Sequence, residues 1–184
     1  MIGVYIQPGD GRENLTMAND VLKRLQRLED KEEIREVIAR YADAVDHHGD
    51  SELLRDCFTG DAIWRCKGIG DWKGRDAVLK GLRHNGVVQL PWALHYMTQP
   101  VITLAANGRS AKAHYYLWEV CKFRLTERDE PESTMIGGWY DSTFRKETAG
   151  WRFSKILLTL KLASPHRLPE FRTDERGSPI GAPT

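Results

Sequence analysis

The sequence predicts an α+β fold: a curved antiparallel sheet forming a cone-shaped barrel, with N-terminal helices closing one apolar pocket. Three observations predict it. Apolar residues recur at helical spacing through the first part of the chain. From residue 92 onward the pattern changes to alternation rich in β-branched and aromatic residues. Helices first and antiparallel strands second is the α+β order, and a bent sheet with helices across its open side encloses a natural cavity.

The elements follow in order. Residues 1–18 carry Pro8, Gly9 and Gly11 and read as an N-terminal arm. Asn19 or Asp20 suits the cap of a first helix. Leu22, Leu25 and Leu28 continue it, and Ile34, Val37, Ile38, Tyr41 and Val45 keep the spacing. Glu29–Glu33 is either a break between two helices or the acidic first turn of the second. Gly49 is the stop. Ser51–Phe58 makes a short helix, Gly60-Asp61 a turn, and Ala62–Cys66 a strand that returns through Gly68–Asp71 to Trp72–Gly74. Asp76 caps a helix whose Val78, Leu79 and Leu82 face inward.

Ala93–Leu104 is one strand, or two joined across Pro100. Asn107-Gly108 is a tight turn into Ala111–Leu125. A polar loop, Thr126–Ser133, leads to strands Met135–Lys146 and Trp151–Leu162. The main domain thus covers residues 19–165. Residues 166–184, rich in Pro, Gly and charge, form an extended or partly disordered tail.

Composition narrows the function classes. The chain has 184 residues and a net charge of +1. That length suits one domain, and so balanced a charge argues against a nucleic-acid binder. Cys57, Cys66 and Cys121 form an odd, sparse set with no CxxC spacing, so they read as small buried hydrophobes rather than disulfides or zinc ligands. The N-terminus shows no basic start before a long apolar stretch, and no run has the ~18 apolar residues of a membrane span. The expectation is a soluble cytoplasmic protein. No HExxH, dinucleotide fingerprint, Walker motif or nucleophile elbow occurs. A pocket without metal or other cofactor remains.

A few polar residues stand out against apolar surroundings. Tyr41 shares a helical stripe with Ile34, Ile38 and Val45, so its hydroxyl needs a partner inside. Asp46 lies in the last turn of the same helix, where the helix dipole disfavours a negative charge. His95 is a single imidazole in the apolar strand Trp92–Met97, and His114 stands similarly in Lys112–Tyr116. Each also has an ordinary structural reading: a core tyrosine on a backbone carbonyl, a surface aspartate near a cation, a satisfied core histidine.

The stretches Leu28–Ile34, Tyr41–Asp46 and Phe58–Ala62, with Ile136–Tyr140 and Gly150–Phe153, resemble the SnoaL-like branch of the nuclear-transport-factor-2-like, or cystatin-like, superfamily. The resemblance runs from about Leu25 to Pro165. Trp64–Gly74, His95–Thr98 and Ile136–Gly138 are similar to its dehydratase and dehydrochlorinase members, among them scytalone dehydratase, bile-acid dehydratase and hexachlorocyclohexane dehydrochlorinase.

This resemblance implies a catalytic dyad of His95 and Asp46, with Tyr41 as a hydroxyl donor. His95 would act as general base, and Asp46 would fix its tautomer and stabilise the imidazolium. Trp64, Trp92, Met97, His114, Tyr116 and Trp118 are the expected substrate wall. The implied activity is a cofactor-independent lyase acting on a small hydrophobic, aromatic or polycyclic, hydroxylated substrate, by dehydration or by C–C cleavage with loss of formaldehyde. The dehydrochlorinase carries a lysine at the position of Tyr41, which argues against chloride elimination. Two alternatives are an isomerase or cyclase using the same dyad, and a non-catalytic small subunit of a ring-hydroxylating dioxygenase. The tryptophans and long strands further suggest that one sheet face packs against copies of itself, as a dimer or, by analogy with the dehydratases, a trimer.

Overall fold

The computed structural model describes residues 11–124, 126–165, 172–173 and 179–180. The expected disorder of the tail, and most of the arm, lie outside these residues. Helix α1 spans Gly11–Asp46 without interruption. It starts ahead of Asn19 and Asp20 and runs straight through Glu29–Glu33. The reason is energetic. Asn or Asp inside a helix costs only about 0.7 kcal/mol relative to alanine, and Glu and Lys are good helix formers. The Glu32–Arg35 ion pair at 3.1 Å adds local support.

The two halves of α1 have different environments. Leu15, Leu22, Leu25 and Leu28 are exposed, contrary to the inward face their spacing suggests. Ile34, Val37, Ile38, Tyr41 and Ala44 are buried. The change comes at Asp30. Its buried carboxylate accepts from Lys146 Nζ at 2.6 Å and from Trp151 Nε1 at 3.0 Å. Glu33 accepts from the Trp151 backbone N–H at 3.0 Å, and a Cβ at Gly150 would collide with that carboxylate.

After Asp46 the chain reverses through His48 (φ 57) and Gly49 (φ 66). A Cβ on Gly49 would run into the Leu82 carbonyl, so glycine is required there for conformation and for room. Helix α2 (Ser51–Arg55) is capped by Asp50, which accepts from the Glu52 and Leu53 N–H groups. Strand β1 (Phe58–Cys66) includes Gly60-Asp61, which is therefore not a turn. Asp61 is held there by Arg145, whose guanidinium, with the Thr59 hydroxyl, lowers its carboxyl to about 2. Strand β2 is Gly70–Lys73, and helix α3 is Arg75–Val88. Asp76 sits in the first turn of α3 but caps nothing. Gly74 (φ 85) starts that helix, with its own N–H bonded to Ala62 at 2.8 Å.

The remaining strands are β3 (Trp92–Leu104), β4 (Ser110–Phe123), β5 (Glu132–Glu147) and β6 (Gly150–Pro165). They form a six-stranded sheet in the order β2-β1-β6-β5-β4-β3, curved and open. All neighbours are antiparallel except β1 and β6, which run parallel. Two short strands, β7 (Arg172–Thr173) and β8 (Pro179–Ile180), pair separately. Strand β3 is continuous, with its register shift between Thr98 and Val101 absorbed by Gln99 (φ 53) ahead of Pro100. The proline lies on an edge strand, where a missing N–H is tolerated. Alternation sends Ala93, His95, Tyr115, Leu117, Ile136, Tyr140 and Phe144 to the concave face, against α1 and α3.

Candidate active site

Asp46 closes α1, and strand β3 passes in front of it. The Asp46 carboxylate accepts from the His95 backbone N–H at 3.1 and 3.2 Å, and from His95 Nδ1 at 2.6 Å. These donors offset the unfavourable helix dipole. They also fix the ring, since a carboxylate acceptor places a proton on Nδ1.

The other ring nitrogen has a partner that sequence reasoning missed. Glu119 lies directly across the β3–β4 ladder from His95. Its Oε2 is 3.3 Å from His95 Nε2, and its side chain is only 4% exposed. Its Oε1 is buried with no hydrogen-bond partner. A signal for it was present. Ala111, Ala113, Tyr115, Leu117, Glu119 and Cys121 alternate to one buried face of β4, and Glu119 is the one acid in that series.

Burial pulls the His95 imidazole toward neutrality, but Glu119 and then Asp46 outweigh it, and its pKa lies above the usual histidine value. Burial raises Glu119, with a smaller push from Asp46. His95 and the Cys121 thiol only partly counter this, so its pKa also lies above the ordinary glutamate value.

His95 and Glu119 line an apolar cavity between the sheet, α1 and α3, together with Tyr41, Trp64, Leu82, Leu90, Ile136 and Tyr140. The cavity offers about 60 Å³ to the centres of water-sized molecules. At roughly 10–15 Å³ for one water, that is room for several waters. Tyr41 is 1% exposed, and its hydroxyl oxygen accepts from Trp64 Nε1 at 2.9 Å. Tyr140 hydrogen-bonds the same hydroxyl, and burial holds Tyr41 far above the usual tyrosine range. Trp64 is braced by stacking on Trp72, with ring centres 4.7 Å apart.

The structure therefore gathers Tyr41, Trp64 and His95 around one cavity, with Asp46 behind His95. Met97 shares the concave face but packs beside Ile38 and Ala42, away from the cavity. Trp92, Tyr116 and Trp118 alternate to the convex face and are exposed. His114 is on that face too, bonded to Asp141 at 2.8 Å with its ring edge toward Tyr116. These residues line the outside of the sheet, because strand parity, not apolar character alone, decides which face a side chain takes. Among the described residues, no group of three or more His, Cys, Asp and Glu side chains converges as a metal centre.

A curved sheet closed by helices over a pocket defines the nuclear-transport-factor-2-like, cystatin-like class, and the comparisons with known proteins agree. The chain belongs to the SnoaL-like domain family, whose model matches residues 26–156. It is similar in structure to a type 2 hexachlorocyclohexane dehydrochlorinase (TM-score 0.73, 18% identity, covering 83% of this chain and 99% of that one). It is also similar to a scytalone dehydratase-like protein from Novosphingobium aromaticivorans (0.66, 18%, 86% and 98%). A nuclear-transport-factor-2-like protein with a cystatin-like fold from the same organism matches at 0.60 and 26% identity, covering 84% and 92%. No curated protein matches the chain. Its structural neighbours thus include lyase-type enzymes. Among the described residues, no helix is long and apolar enough to cross a membrane.

Proposed function

We propose that this chain is a cofactor-independent lyase that removes water, or cleaves a C–C bond, from a compact hydroxylated aromatic or alicyclic substrate. The observation that carries this reading is the 2.6 Å Asp46–His95 contact, with the imidazole of that pair lining an apolar cavity. His95 Nε2 takes a proton from carbon, the C–H electron pair becomes the new double bond, and the hydroxyl leaves. Asp46 lies behind the ring and acts through it, holding Nδ1 protonated as charge develops. The Tyr41 oxygen accepts from Trp64 and from Tyr140, so its own O–H remains as a donor to a substrate carbonyl or enolate.

His95→Ala and Asp46→Asn test this reading on a panel of single-ring β-hydroxy carbonyl compounds and aryl diols, with products weighed by mass spectrometry. Loss of 18 mass units marks dehydration, loss of 30 marks formaldehyde release, and unchanged mass marks the isomerase alternative (each mass roughly that of the molecule lost, and each step counted at the ~10²–10⁴-fold worth of a positioned base). Both variants are expected to lose at least ~100-fold in turnover. Survival of turnover in both would sink the dyad. Co-purification with a large iron-containing partner would instead favour the dioxygenase-subunit reading.

We also propose a homo-oligomer, dimer or trimer, joined through the convex sheet face. Trp92, Tyr96, Val101, Tyr116, Trp118 and Leu162 are exposed there. A contiguous apolar face of this kind is unusual on a monomer. The three cysteines are buried and form no disulfide among the described residues, as suits the reducing cytoplasm where we place the protein.

A further inference from the structure

We infer that Glu119 is the catalytic acid of this site: it delivers the proton to the leaving hydroxyl and recovers it directly from His95. This inference rests on the lyase reading above and deepens it. It starts from a contact that needs a proton. His95 Nδ1 donates to Asp46, which leaves a lone pair on Nε2 of the neutral ring. Glu119 Oε2 stands 3.3 Å from that nitrogen. An imine nitrogen and a carboxylate oxygen both present lone pairs and repel unless a hydrogen lies between them. The contact is therefore either a protonated Glu119 on a neutral imidazole or an imidazolium on an ionised Glu119.

The surroundings favour the protonated carboxyl. Asp46 from α1 is the anion facing the pair, and Tyr41 from α1, Tyr140 from β5 and Cys121 from β4 are neutral neighbours. Among the described residues, no lysine or arginine lines the cavity. Asp46 already pairs with the imidazole, so moving the proton from Glu119 to His95 would put a second negative charge and a positive charge into an apolar cavity. Glu119 itself lines the cavity that a substrate would enter.

The reaction then balances within the site. When substrate enters, the Glu119 proton turns from Nε2 to the leaving hydroxyl, the freed Nε2 of neutral His95 takes the proton from carbon, and the C–H pair forms the C=C bond. The C–O bond breaks, the oxygen keeps that pair, and Glu119 supplies the proton that turns the leaving hydroxide into water. The site is left as imidazolium and carboxylate, 3.3 Å apart, and the Nε2 proton passes to Oε2 to restore the starting state. Acceptor and donor are neighbours on adjacent strands. Hydrogen and hydroxyl must therefore depart from the same face of the substrate, a syn elimination.

The test needs no substrate. Infrared spectra of the whole protein at pH 7 are recorded with and without ¹³C-glutamate labelling, beside Glu119→Gln. Nitrogen NMR of ¹⁵N-histidine protein reports the His95 ring. The expected result is the C=O stretch of a neutral carboxylic acid that moves on labelling and is missing in E119Q, with a neutral His95 ring. An ionised Glu119 beside a doubly protonated His95 would overturn the assignment. If E119Q fails to fold, the labelled wild-type band and the His95 spectrum still decide the matter. With a dehydrated substrate in hand, E119Q is expected to lose ~10²–10⁴-fold in kcat. A halide analogue, which leaves without a proton, should escape most of that loss, and equal loss for both would also overturn the role. Retained turnover in H95A and D46N would defeat the lyase reading while leaving the infrared result standing, so the two fail separately.

Discussion

His95 stands between two carboxylates, and that arrangement sets how stability answers to pH. The native fold raises the pKa of both His95 and Glu119. Between them the pair therefore holds a proton that the unfolded chain releases sooner. For His95 the stabilisation is complete below the unfolded value of 6.5 and disappears as pH rises through the folded value. For Glu119 the penalty is absent below 4.5 and grows above it. Both make stability fall with rising pH. Asp30 and Asp61 act oppositely: their lowered values give stability above 3.8 that is lost in acid. Urea denaturation across pH 5 to 8 (a span of roughly three units around the ordinary His range) is expected to show a declining limb that flattens in E119Q. An unchanged limb would mean that the His95–Glu119 pair binds no extra proton in the native state.

At this scale the sequence was only partly legible. Tyr41, Asp46 and His95 were visible as polar residues in apolar surroundings or against a dipole. Glu119 was hidden because reading β4 for aromatics drew attention to Tyr116 and Trp118, which have the opposite parity.

Among the elements, α1 and the β5–β6 pair position the site, and each depends on a small number of residues. Asp30 ties α1 to the hairpin through Lys146 and Trp151. Asp30→Ala strands the Trp151 indole N–H in a buried place and should cost about 2 kcal/mol or more, read as a lowered denaturation midpoint. At Gly138 a Cβ would press on the Thr159 carbonyl, beside the register shift of β5 against β6. Backbone cannot yield there without opening the ladder, so Gly138→Ala should destabilise by about 1–3 kcal/mol. The succession of helices and strands was readable from periodicity. The boundaries were not, because Asn19, Asp20 and the acidic run tolerate helix and do not end it. The parallel pairing of β1 with β6 joins segments far apart in the chain, and no local pattern encodes that.

For the whole molecule, the α+β class and its pocket followed from element order, whereas the proposed assembly rests on which face each strand presents. Charge placed in the middle of the convex face should separate the copies. Trp118→Glu is expected to convert the oligomer to monomer in sedimentation velocity, with the circular dichroism spectrum unchanged. A wild-type chain that already sediments as a monomer would remove this expectation. Trp118 and Leu162 both border the bare Cα of Gly137.

The clasp at Asp30 also divides one rod into two regimes of motion. C-terminal to it, α1 is buttressed by the sheet. N-terminal to it, Leu15 to Leu28 face water, and a helix without packing is only marginally held together by its own ladder. Amide protons should therefore exchange with solvent far faster ahead of that carboxylate than behind it, with a sharp boundary inside a single unbroken secondary-structure element.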